Sequence, residues 1–460
     1  MQLIPRILCL VILSISPGLM AKAPNLIIIL TDDQGWHDVG FNGCTDIPTP
    51  NIDSIADQGA RFDSGYVTFP VCGPSRAGLL TGRYQGRFGF TTNPTIDPEN
   101  PVAGLPLEEE NIAEVLRKGG YKSAIIGKWH MGSHEVHHPL NRGFDHFFGF
   151  LSGGHNYDPR ELTLNDLSEV TRKWEWYRTR IMRDHERIDI DDYLTDELTD
   201  AATAFIDKQA GCDQPFMLYL AYNAPHTPMQ ATEKYLSRFP DIEDKRRRTY
   251  AAMVSAVDDG VGRVMNTLRR HGVEEDTIIV FLSDNGGAKN NSSDNKPLRG
   301  VKGDLWEGGI RVPFAMQWKG TIPAGIDYPH PVISLDIMAT ITELAGVEIS
   351  RERPLDGVNL VPYLTGEKEG RPHEVLFWRK WEQKGMAIRS GDVKLVSNGQ
   401  RQQNNYALYN LSMDIGESSN RKNKSRKETK ALLKEWEAWN AQLKDRYFPT
   451  LMGDKWWERK

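Results

Sequence analysis

The sequence of 460 residues has few cysteines and no surplus of positive charge. Only 4 residues are cysteine, which excludes a disulfide-rich scaffold. There are 56 lysines and arginines against 62 aspartates and glutamates, and this net charge of -6 argues against a general nucleic-acid-binding protein. Apolar residues make up 39% of the chain, which is enough for a packed core and excludes wholesale disorder.

The chain also lacks an apolar run long enough to cross a membrane. Arg6 precedes a short apolar stretch at residues 7–15, and small residues follow this stretch as far as Ala21. This order is typical of a secretory signal peptide, whereas a spanning helix needs about 20 apolar residues. We therefore predict that residues 1–21 are a signal peptide. The mature chain is expected to be exported, periplasmic or secreted, with no membrane span.

Four short apolar runs rich in β-branched or aromatic residues occupy the first three quarters of the chain. They lie at 26–30, 123–126, 216–222 and 277–282. Continuous apolarity predicts strands that are buried on both faces. Helical patterns lie between them, at 108–118 and 248–271, and both end at glycine. This alternation predicts an α/β fold with a large, mostly parallel central sheet flanked by helices on both faces.

The pattern of apolar and polar residues changes near residue 372. Short apolar stretches separated by glycine, asparagine and charged residues are followed there by a helical pattern rich in lysine and glutamate at 424–443. We therefore predict a larger domain at 22–371 and a smaller C-terminal α+β domain with an antiparallel sheet at 372–460.

Polar residues follow each of the four predicted strands. In strand order they are Asp32 and Asp33, Lys128 and His130, His226, and Asp284 and Asn285. Because ligand sites in open α/β sheets lie outside the carboxyl ends of the strands, these residues are predicted to converge on one crevice. Capping of a helix or turn explains one pair of acidic residues. It is a poorer explanation of both pairs together.

The aspartates and the asparagine among them form a set of oxygen ligands. Asp32, Asp33 and Asp284 offer carboxylates, and Asn285 offers an amide oxygen. Such a set suits Ca²⁺ or Mg²⁺, and a crowded, irregular set favours Ca²⁺.

The basic residues among them are candidates for binding an anion. Lys128 and His130 are two positions apart, so in an extended backbone they face the same side and hold one anion together. His226 lies in a loop, where a single histidine is more often structural than catalytic. Its place at another strand end strengthens a functional interpretation.

The segment at 72–83, CGPSRAGLLTGR, is the most specific part of the sequence. Pro74 lies near the first position of a predicted helix, which places Cys72 at a helix N-terminus, where free amide groups attract anions. A cysteine there is either a nucleophile or a buried apolar side chain.

At this segment the chain resembles the type I sulfatases of the alkaline-phosphatase-like superfamily. The Cys-x-Pro-Ser-Arg motif followed by Leu-Thr-Gly-Arg is the signature of that family for converting cysteine to Cα-formylglycine, and it is unbroken here. The resemblance extends over nearly the whole mature chain. It includes Lys302 within 298–303 and the segment 307–313.

The resemblance implies a cofactor, a modified residue and a mechanism. It implies one Ca²⁺ ion held by Asp32, Asp33, Asp284, Asn285 and a formylglycine derived from Cys72. It places Arg76, Lys128, His130 and Lys302 around the sulfate. One hydroxyl of the formylglycine hydrate attacks sulfur, and His226 or Lys302 protonates the departing alkoxide. His130 then deprotonates the second hydroxyl, and sulfate leaves.

We therefore predict an exported sulfuric ester hydrolase that acts on a sulfated carbohydrate or polysaccharide fragment. Its maturation requires a formylglycine-generating enzyme. One alternative is a phosphate or phosphonate ester hydrolase of the same superfamily, because a metal, cations and formylglycine also suit a phosphoryl group. The other is a non-catalytic protein that binds sulfated glycans and keeps Cys72 as a thiol.

The segment at 171–183 combines aromatic and basic residues. This composition is typical of a surface that binds an anionic sugar. It is equally typical of an amphipathic helix that packs its aromatic residues inward.

Overall fold

The computed structural model describes residues 23–380, 384–399, 405–451 and 453–459. The predicted signal peptide at 1–21 lies outside the described residues. The strands are β1 (Asn25–Thr31), β2 (Ala60–Phe62), β3 (Gly65–Tyr66), β4 (Lys122–Lys128), β5 (His146–Phe150), β6 (Ile181–Arg183), β7 (Glu186–Ile188), β8 (Phe216–Ala221), β9 (Thr277–Ser283), β10 (Phe314–Trp318), β11 (Ile326–Tyr328), β12 (Val332–Ile333), β13 (Val375–Lys380), β14 (Gly385–Ser390), β15 (Val393–Ser397) and β16 (Ala407–Asn410). The α-helices are α1 (Pro50–Asp57), α2 (Cys72–Thr81), α3 (Ile112–Lys118), α4 (Leu194–Gln209), α5 (Glu233–Leu236), α6 (Lys245–Arg270), α7 (Glu307–Ile310), α8 (Leu335–Leu344), α9 (Val361–Leu364) and α10 (Arg426–Asn440).

Ten strands form the central sheet, in the order β11-β2-β10-β9-β1-β8-β4-β5-β6-β7. The strands from β9 to β5 in this order are all parallel. In register, Ile28 of β1 lies between Val280 of β9 and Tyr219 of β8. On either side, β10 and β6 pair antiparallel with β9 and β5. The predicted α/β class with a large, mostly parallel sheet is confirmed.

Helices cover both faces of this sheet because alternate side chains of each strand enter two different cores. Leu26, Ile28 and Leu30 pack with apolar residues of α2, α3 and α8. Ile27 and Ile29 pack with residues of α1, α4 and α6 on the opposite face. All five side chains are buried, which explains why the strand reads as one continuous apolar run.

The four predicted apolar runs correspond to β1, β4, β8 and β9, and these strands are neighbours in the sheet. The helix predicted at 108–118 begins only at Ile112, so the predicted start was wrong. The reason is a capping box. The Asn111 side chain accepts hydrogen bonds from the backbone N–H groups of Ala113 and Glu114, at 2.8 and 3.3 Å, and the Glu114 carboxylate accepts one from the Asn111 N–H.

The C-terminal part contains a separate antiparallel sheet in the order β13-β14-β15-β16. Leu432 of α10 packs on one face of it, against residues such as Ile388 and Leu395. The indole of Trp378 donates a hydrogen bond of 2.8 Å to the Val67 carbonyl and so links this sheet to the larger unit. The predicted antiparallel sheet is confirmed, while the domain boundary after residue 371 stays a prediction. No helix within the described residues combines the length and apolarity needed to cross a membrane.

Candidate active site

The polar residues that follow β9, β1, β8 and β4 lie at one edge of the central sheet, because parallel strands end at the same edge. Backbone hydrogen bonds tie their loops together. The Asp32 N–H donates to the Ala224 carbonyl at 3.1 Å, and the Asp284 N–H donates to the Thr31 carbonyl at 2.9 Å. The predicted convergence of these strand ends is therefore a property of the backbone.

The helix α2 brings the signature motif to the same edge. It begins at Cys72 and every one of its residues is buried. Pro74 is the third helical residue, where its missing N–H still leaves no hydrogen bond of the helix unmade. The Gly73 N–H donates to the Asn93 side chain at 2.9 Å. Cys72 thus lies at a helix N-terminus, as the sequence predicts.

Arg76 is fully buried and holds three parts of the site together. Its Nε donates to Asp284 Oδ2 at 2.9 Å, and its Nη2 donates to Asp32 Oδ2 at 3.4 Å. Its Nη1 donates to the Lys128 carbonyl at 3.0 Å. Since a guanidinium stays charged in any protein, Arg76 places a permanent positive charge between two carboxylates.

Two lysines contact the pair of aspartates that follows β1. Lys128 Nζ donates to Asp32 Oδ2. Lys302 Nζ lies 2.6 Å from Asp33 Oδ1 and 3.2 Å from Cys72 Sγ. Burial alone would raise the pKa of Asp32, but the positive charges around it, above all that of Lys128, hold the pKa below its usual range. Asp32 is therefore ionised at neutral pH.

The thiol of Cys72 is not an activated nucleophile. Burial and the negative charge of Asp32 raise its pKa to about 12. A thiol with such a pKa stays protonated at neutral pH, whereas reactive cysteines have a depressed pKa.

His130 differs from the prediction in its backbone. Its φ of 60° is left-handed, so the chain is not extended here, and the argument that Lys128 and His130 face one side by strand alternation was wrong. Both side chains are nevertheless buried at the site. Among the described residues, neither ring nitrogen of His130 has a hydrogen-bond partner. Burial and the charge of Lys128 lower the pKa of this ring. It is therefore neutral, with both nitrogens available to a ligand.

His226 faces the aspartates from the end of β8. Its Nδ1 lies 2.6 Å from the Thr227 carbonyl, and because a carbonyl only accepts, Nδ1 carries the hydrogen. Its Nε2 lies 3.6 Å from Asp33 Oδ2. The Tyr157 hydroxyl donates to the His226 carbonyl at 2.7 Å and fixes the loop. The nitrogen free to exchange a proton is therefore Nε2, on the side of the site.

The donor atoms at this edge fit a divalent cation. Asp32, Asp33, Cys72 and His226 offer ligand atoms that lie within 4.8 Å of one another. Asn285 donates through Nδ2 to Asp33 Oδ1 at 2.8 Å, while its Oδ1 has no partner among the residues that the structure describes. A buried acceptor without a partner costs about 1–3 kcal/mol. A hard cation such as Ca²⁺ would satisfy it.

The structure thus brings all the predicted site residues to one edge, and their individual roles stay predictions. One contributor, Asn291, was missed, and a second, Tyr177, was covered only by the interpretation of the segment at 171–183 as a sugar-binding surface. Asn291 is buried, and its Nδ2 donates to the carbonyls of Asp33 and Pro225, at 3.0 and 3.2 Å. The Tyr177 hydroxyl lies against Gly154 beside the site. Neither residue directly follows a strand, so the strand-end pattern did not reveal them. The aromatic content of the segment at 171–183 was the available signal for Tyr177.

Comparison with known proteins identifies the family of this chain. A family model described as Sulfatase matches residues 24–347, and a second, described as N-sulphoglucosamine sulphohydrolase, C-terminal, matches residues 302–442. The chain belongs to the sulfatase family. The resemblance to type I sulfatases is confirmed, and the protein is a sulfuric ester hydrolase.

Similar sulfatases include N-acetylgalactosamine-6-sulfatase from Mus musculus, which is 36% identical over 77% of this chain and 70% of its own length. Arylsulfatase G from Mus musculus is 33% identical over 80% of this chain and 74% of its own length. Among solved structures, Ps i-CgsB in complex with k-i-k-neocarrahexaose is 36% identical. It superimposes with a TM-score of 0.88 over 94% of this chain and 96% of its own.

Proposed function

We propose that this sulfatase hydrolyses a sulfate ester of a carbohydrate to an alcohol and inorganic sulfate, using a formylglycine derived from Cys72 and one Ca²⁺ ion. The observation that carries this proposal is the position of Cys72. It lies in the unbroken signature at the N-terminus of a buried helix, and Lys302 Nζ is 3.2 Å from its sulfur. A relative named for N-acetylgalactosamine and a similar structure with bound neocarrahexaose support a carbohydrate substrate.

The proposed modification supplies a nucleophile that is regenerated in each turnover. A thiol that attacked sulfur would be left carrying the sulfuryl group. A hydroxyl of hydrated formylglycine is the nucleophile we propose in its place, because loss of the proton from the second hydroxyl re-forms the aldehyde and expels sulfate. Because Cys72 is only 1% exposed in the folded chain, the formylglycine-generating enzyme must reach it before α2 is packed into the core.

The charges of the site support a bound cation and an anionic substrate. Three carboxylates meet three cationic side chains, in the ion pairs formed by Asp32, Asp33 and Asp284 with Arg76, Lys128 and Lys302. The residues that would hold Ca²⁺ are Asp32, Asp33, Asp284, Asn285 and residue 72. When bound, this ion supplies a Lewis acid for the sulfuryl oxygens. It would also give the balanced cluster a net positive charge, which favours a sulfate ester.

The basic residues divide between the sulfate and the leaving group. Arg76 and Lys128 lie on the side of α2 and β4, where we place the sulfuryl oxygens. The ring nitrogens of His130 have no hydrogen-bond partner within the part of the chain that the structure describes, and we propose that this ring removes the proton of the second hydroxyl. His226 approaches from the end of β8, and in its doubly protonated form it carries on Nε2 the proton that we propose passes to the departing alkoxide. Lys302 is the alternative donor.

We also propose that the protein is exported after removal of residues 1–21. The basis is the order of Arg6, the apolar stretch at 7–15 and the small residues up to Ala21. Detection of the mature N-terminus in the periplasm or the medium of the native host tests this. An intact N-terminus in the cytosolic fraction alone would contradict it.

The proposed activity is tested by release of inorganic sulfate. The substrates are N-acetylgalactosamine 6-sulfate, k-i-k-neocarrahexaose, and the matched sulfate and phosphate esters of 4-nitrophenol. We expect sulfate release from a saccharide, and a kcat/KM for the aryl sulfate that exceeds that for the phosphate by more than about tenfold. A preference for phosphate would support the phosphohydrolase alternative. Binding without turnover by protein that is purified from its native host and carries an unmodified Cys72 would support the glycan-binding alternative.

A further inference from the structure

An aromatic cluster lies beside the active site in the segment before β6. Within it, Glu175–Arg178 forms a single turn of 3-10 helix. The ring of Trp174 lies 5.3 Å from that of Trp176 and 5.7 Å from that of Tyr177, between centroids. The sequence leaves open whether these rings face inward or outward. In the structure they differ in how far they are buried. Trp176 is buried, Trp174 is exposed, and Tyr177 is half-buried.

Tyr177 forms the inner end of this cluster. A β-carbon on Gly154 would lie 2.6 Å from the Tyr177 hydroxyl and 3.1 Å from His226 Nδ1. The hydroxyl and the histidine that we propose as proton donor therefore lie against the same glycine. Burial raises the pKa of Tyr177, so the hydroxyl stays protonated and able to donate a hydrogen bond.

Trp174 forms the outer end and is 43% exposed. Its φ of 72° and ψ of -5° are left-handed, a conformation that glycine adopts freely and that a bulky side chain rarely adopts. Neither burial nor backbone preference explains a tryptophan at this position. An exposed, strained aromatic residue at the edge of a site is the kind of outlier that points to a ligand.

Packing against Trp457 and hydrogen bonds to Glu175 hold the aromatic cluster in place. Trp176 packs against Trp457, with ring centroids 5.4 Å apart, in a small core of its own. The Glu175 carboxylate accepts hydrogen bonds from the N–H groups of Thr171 and Arg172, at 2.9 and 3.0 Å. These contacts fix the turn that carries the exposed ring. A preorganised surface of this kind loses little entropy when it binds a ligand.

A lysine lies over the exposed ring, and the neighbouring Arg172 pairs with Glu175 at 2.9 Å. Lys173 Nζ lies 4.7 Å from the centroid of Trp174, and the Arg172 side chain is exposed beside it. A sulfated saccharide presents both apolar ring faces and negative sulfates. An aromatic ring next to cations complements both features.

We propose that Trp174 and Tyr177 form a saccharide subsite that makes this enzyme selective for sulfated oligosaccharides over small sulfate esters. Tyr177 contacts the sugar that carries the reacting sulfate, and Trp174 contacts the next sugar along the chain. This subsite rests on the proposed function as a carbohydrate sulfatase.

The test compares the unsubstituted protein with Trp174→Gly and with a control, Met413→Ala. Met413 is 84% exposed, and it lies in the C-terminal part of the chain, outside the site residues. Dissociation constants are measured for k-i-k-neocarrahexaose and a chondroitin 6-sulfate hexasaccharide. Values of kcat/KM are measured for both hexasaccharides and for 4-nitrophenyl sulfate. Because glycine tolerates the left-handed backbone, Trp174→Gly is expected to keep the fold, which its far-UV circular dichroism and melting temperature check.

We expect Trp174→Gly to raise the dissociation constant of at least one hexasaccharide about tenfold, as truncation of an aromatic anchor does. Its kcat/KM for that hexasaccharide falls about tenfold further than its kcat/KM for 4-nitrophenyl sulfate. An unchanged dissociation constant, equal losses on both kinds of substrate, or no hexasaccharide binding by the unsubstituted protein would overturn the subsite. If binding depends on Trp174 but no ester is hydrolysed, the subsite stands and the proposed function fails. If sulfate is released but the dissociation constants do not change in Trp174→Gly, the proposed function stands and the subsite fails.

Discussion

Two clusters of buried charge in this protein differ in how they use their polar atoms. The first joins the C-terminal sheet to the larger unit. There, Lys394 Nζ lies 2.8 Å from Glu307 Oε1 and 2.9 Å from Glu417 Oε1. The second oxygen of Glu307 accepts a hydrogen bond of 2.5 Å from the Tyr66 hydroxyl. The charges of this cluster face one another within the interior.

The second cluster lies at the carboxyl ends of the central strands and contains buried polar atoms that make no hydrogen bond to the residues described. Asn285 Oδ1 and both nitrogens of His130 have no hydrogen-bond partner among the described residues, although both side chains are buried. Buried polar groups without partners are rare in folded proteins and call for an explanation. The comparison teaches that buried charge alone does not mark a site. In the second cluster, the unused polar atoms lie among the side chains that follow the parallel strands.

The largest expected effect in the second cluster follows from Cys72→Ala. Removing the side chain removes the proposed nucleophile, so sulfate release is expected to fall by roughly 10⁴-fold or more. The melting temperature is expected to change little, because alanine keeps the helix. Cys44→Ala is the matched control, since Cys44 lies outside the site and its loss should leave turnover intact. Cys72→Ala protein that retained turnover would contradict the assignment.

The next largest effect is expected from loss of the metal. Chelation should lower kcat/KM by about 10³-fold through loss of the charge that stabilises the transition state, and added Ca²⁺ should restore it. Asp284→Ala should behave like the chelated protein and resist this restoration. Elemental analysis with kinetics provides the measurement. Full turnover by protein shown to be metal-free would remove Ca²⁺ from the scheme.

Lys394→Met tests the first cluster. The charge of Lys394 holds the pKa of Glu307 below its usual range against the effect of burial, while burial raises the pKa of Glu417. Removing the lysine leaves two carboxylates buried without it, which is expected to cost about 3–5 kcal/mol of unfolding free energy. Urea denaturation measures this loss. The kcat of the folded fraction should stay the same. A loss of kcat with unchanged stability would show that the first cluster serves catalysis and does not stabilise the fold.

His226→Ala is expected to have an effect that depends on the leaving group. A sugar alkoxide needs a proton in the transition state, whereas an aryl oxide needs little help, so hydrolysis of the carbohydrate sulfate should fall about 10²-fold further than that of the aryl sulfate. Lys128→Ala should lower both alike, because the sulfuryl charge is common to them. Equal losses for His226→Ala would move the role of proton donor to Lys302.

The smallest effect concerns a third buried pair, at the start of the C-terminal part. His373 Nε2 lies 2.7 Å from Asp336 Oδ1. Burial would lower the pKa of His373, but the charge of Asp336 outweighs it and raises the pKa above 6.5. The stabilisation is therefore complete below the unfolded pKa of about 6.5 and is lost as the pH rises through the higher folded pKa.

We expect His373→Asn to lower the unfolding free energy by about 1–2 kcal/mol near pH 6 and by less near pH 9. Denaturation curves at the two pH values measure the difference. A loss of equal size at both would show that the charge of the histidine does not contribute.

The strands that build the site were predictable because their composition is extreme. β1, β4, β8 and β9 are buried on both faces, and each is followed by polar residues that the parallel arrangement brings together. The antiparallel strands on either side of the parallel part of the same sheet were not predicted. Strands as short as β2 (Ala60–Phe62) show no periodicity to detect.

The sequence predicted which residues belong to the candidate site better than it predicted their conformations and contacts. His130 has a left-handed backbone, and its N–H donates a hydrogen bond of 3.3 Å to the carbonyl of Leu151, which follows the neighbouring strand β5. Asn291 and Tyr177 reach the site only through the folding of loops distant in sequence. Such contacts depend on tertiary structure and leave no local pattern.

The central claim is that residue 72 carries a formylglycine, and mass spectrometry tests it most directly. The protein is purified from its native host, assayed for sulfate release and digested with trypsin, and the peptide at 62–76 is analysed. We predict an aldehyde or its hydrate at position 72, in a fraction that rises and falls with specific activity between preparations. A fully active preparation in which this peptide contains only the Cys72 thiol would contradict the claim.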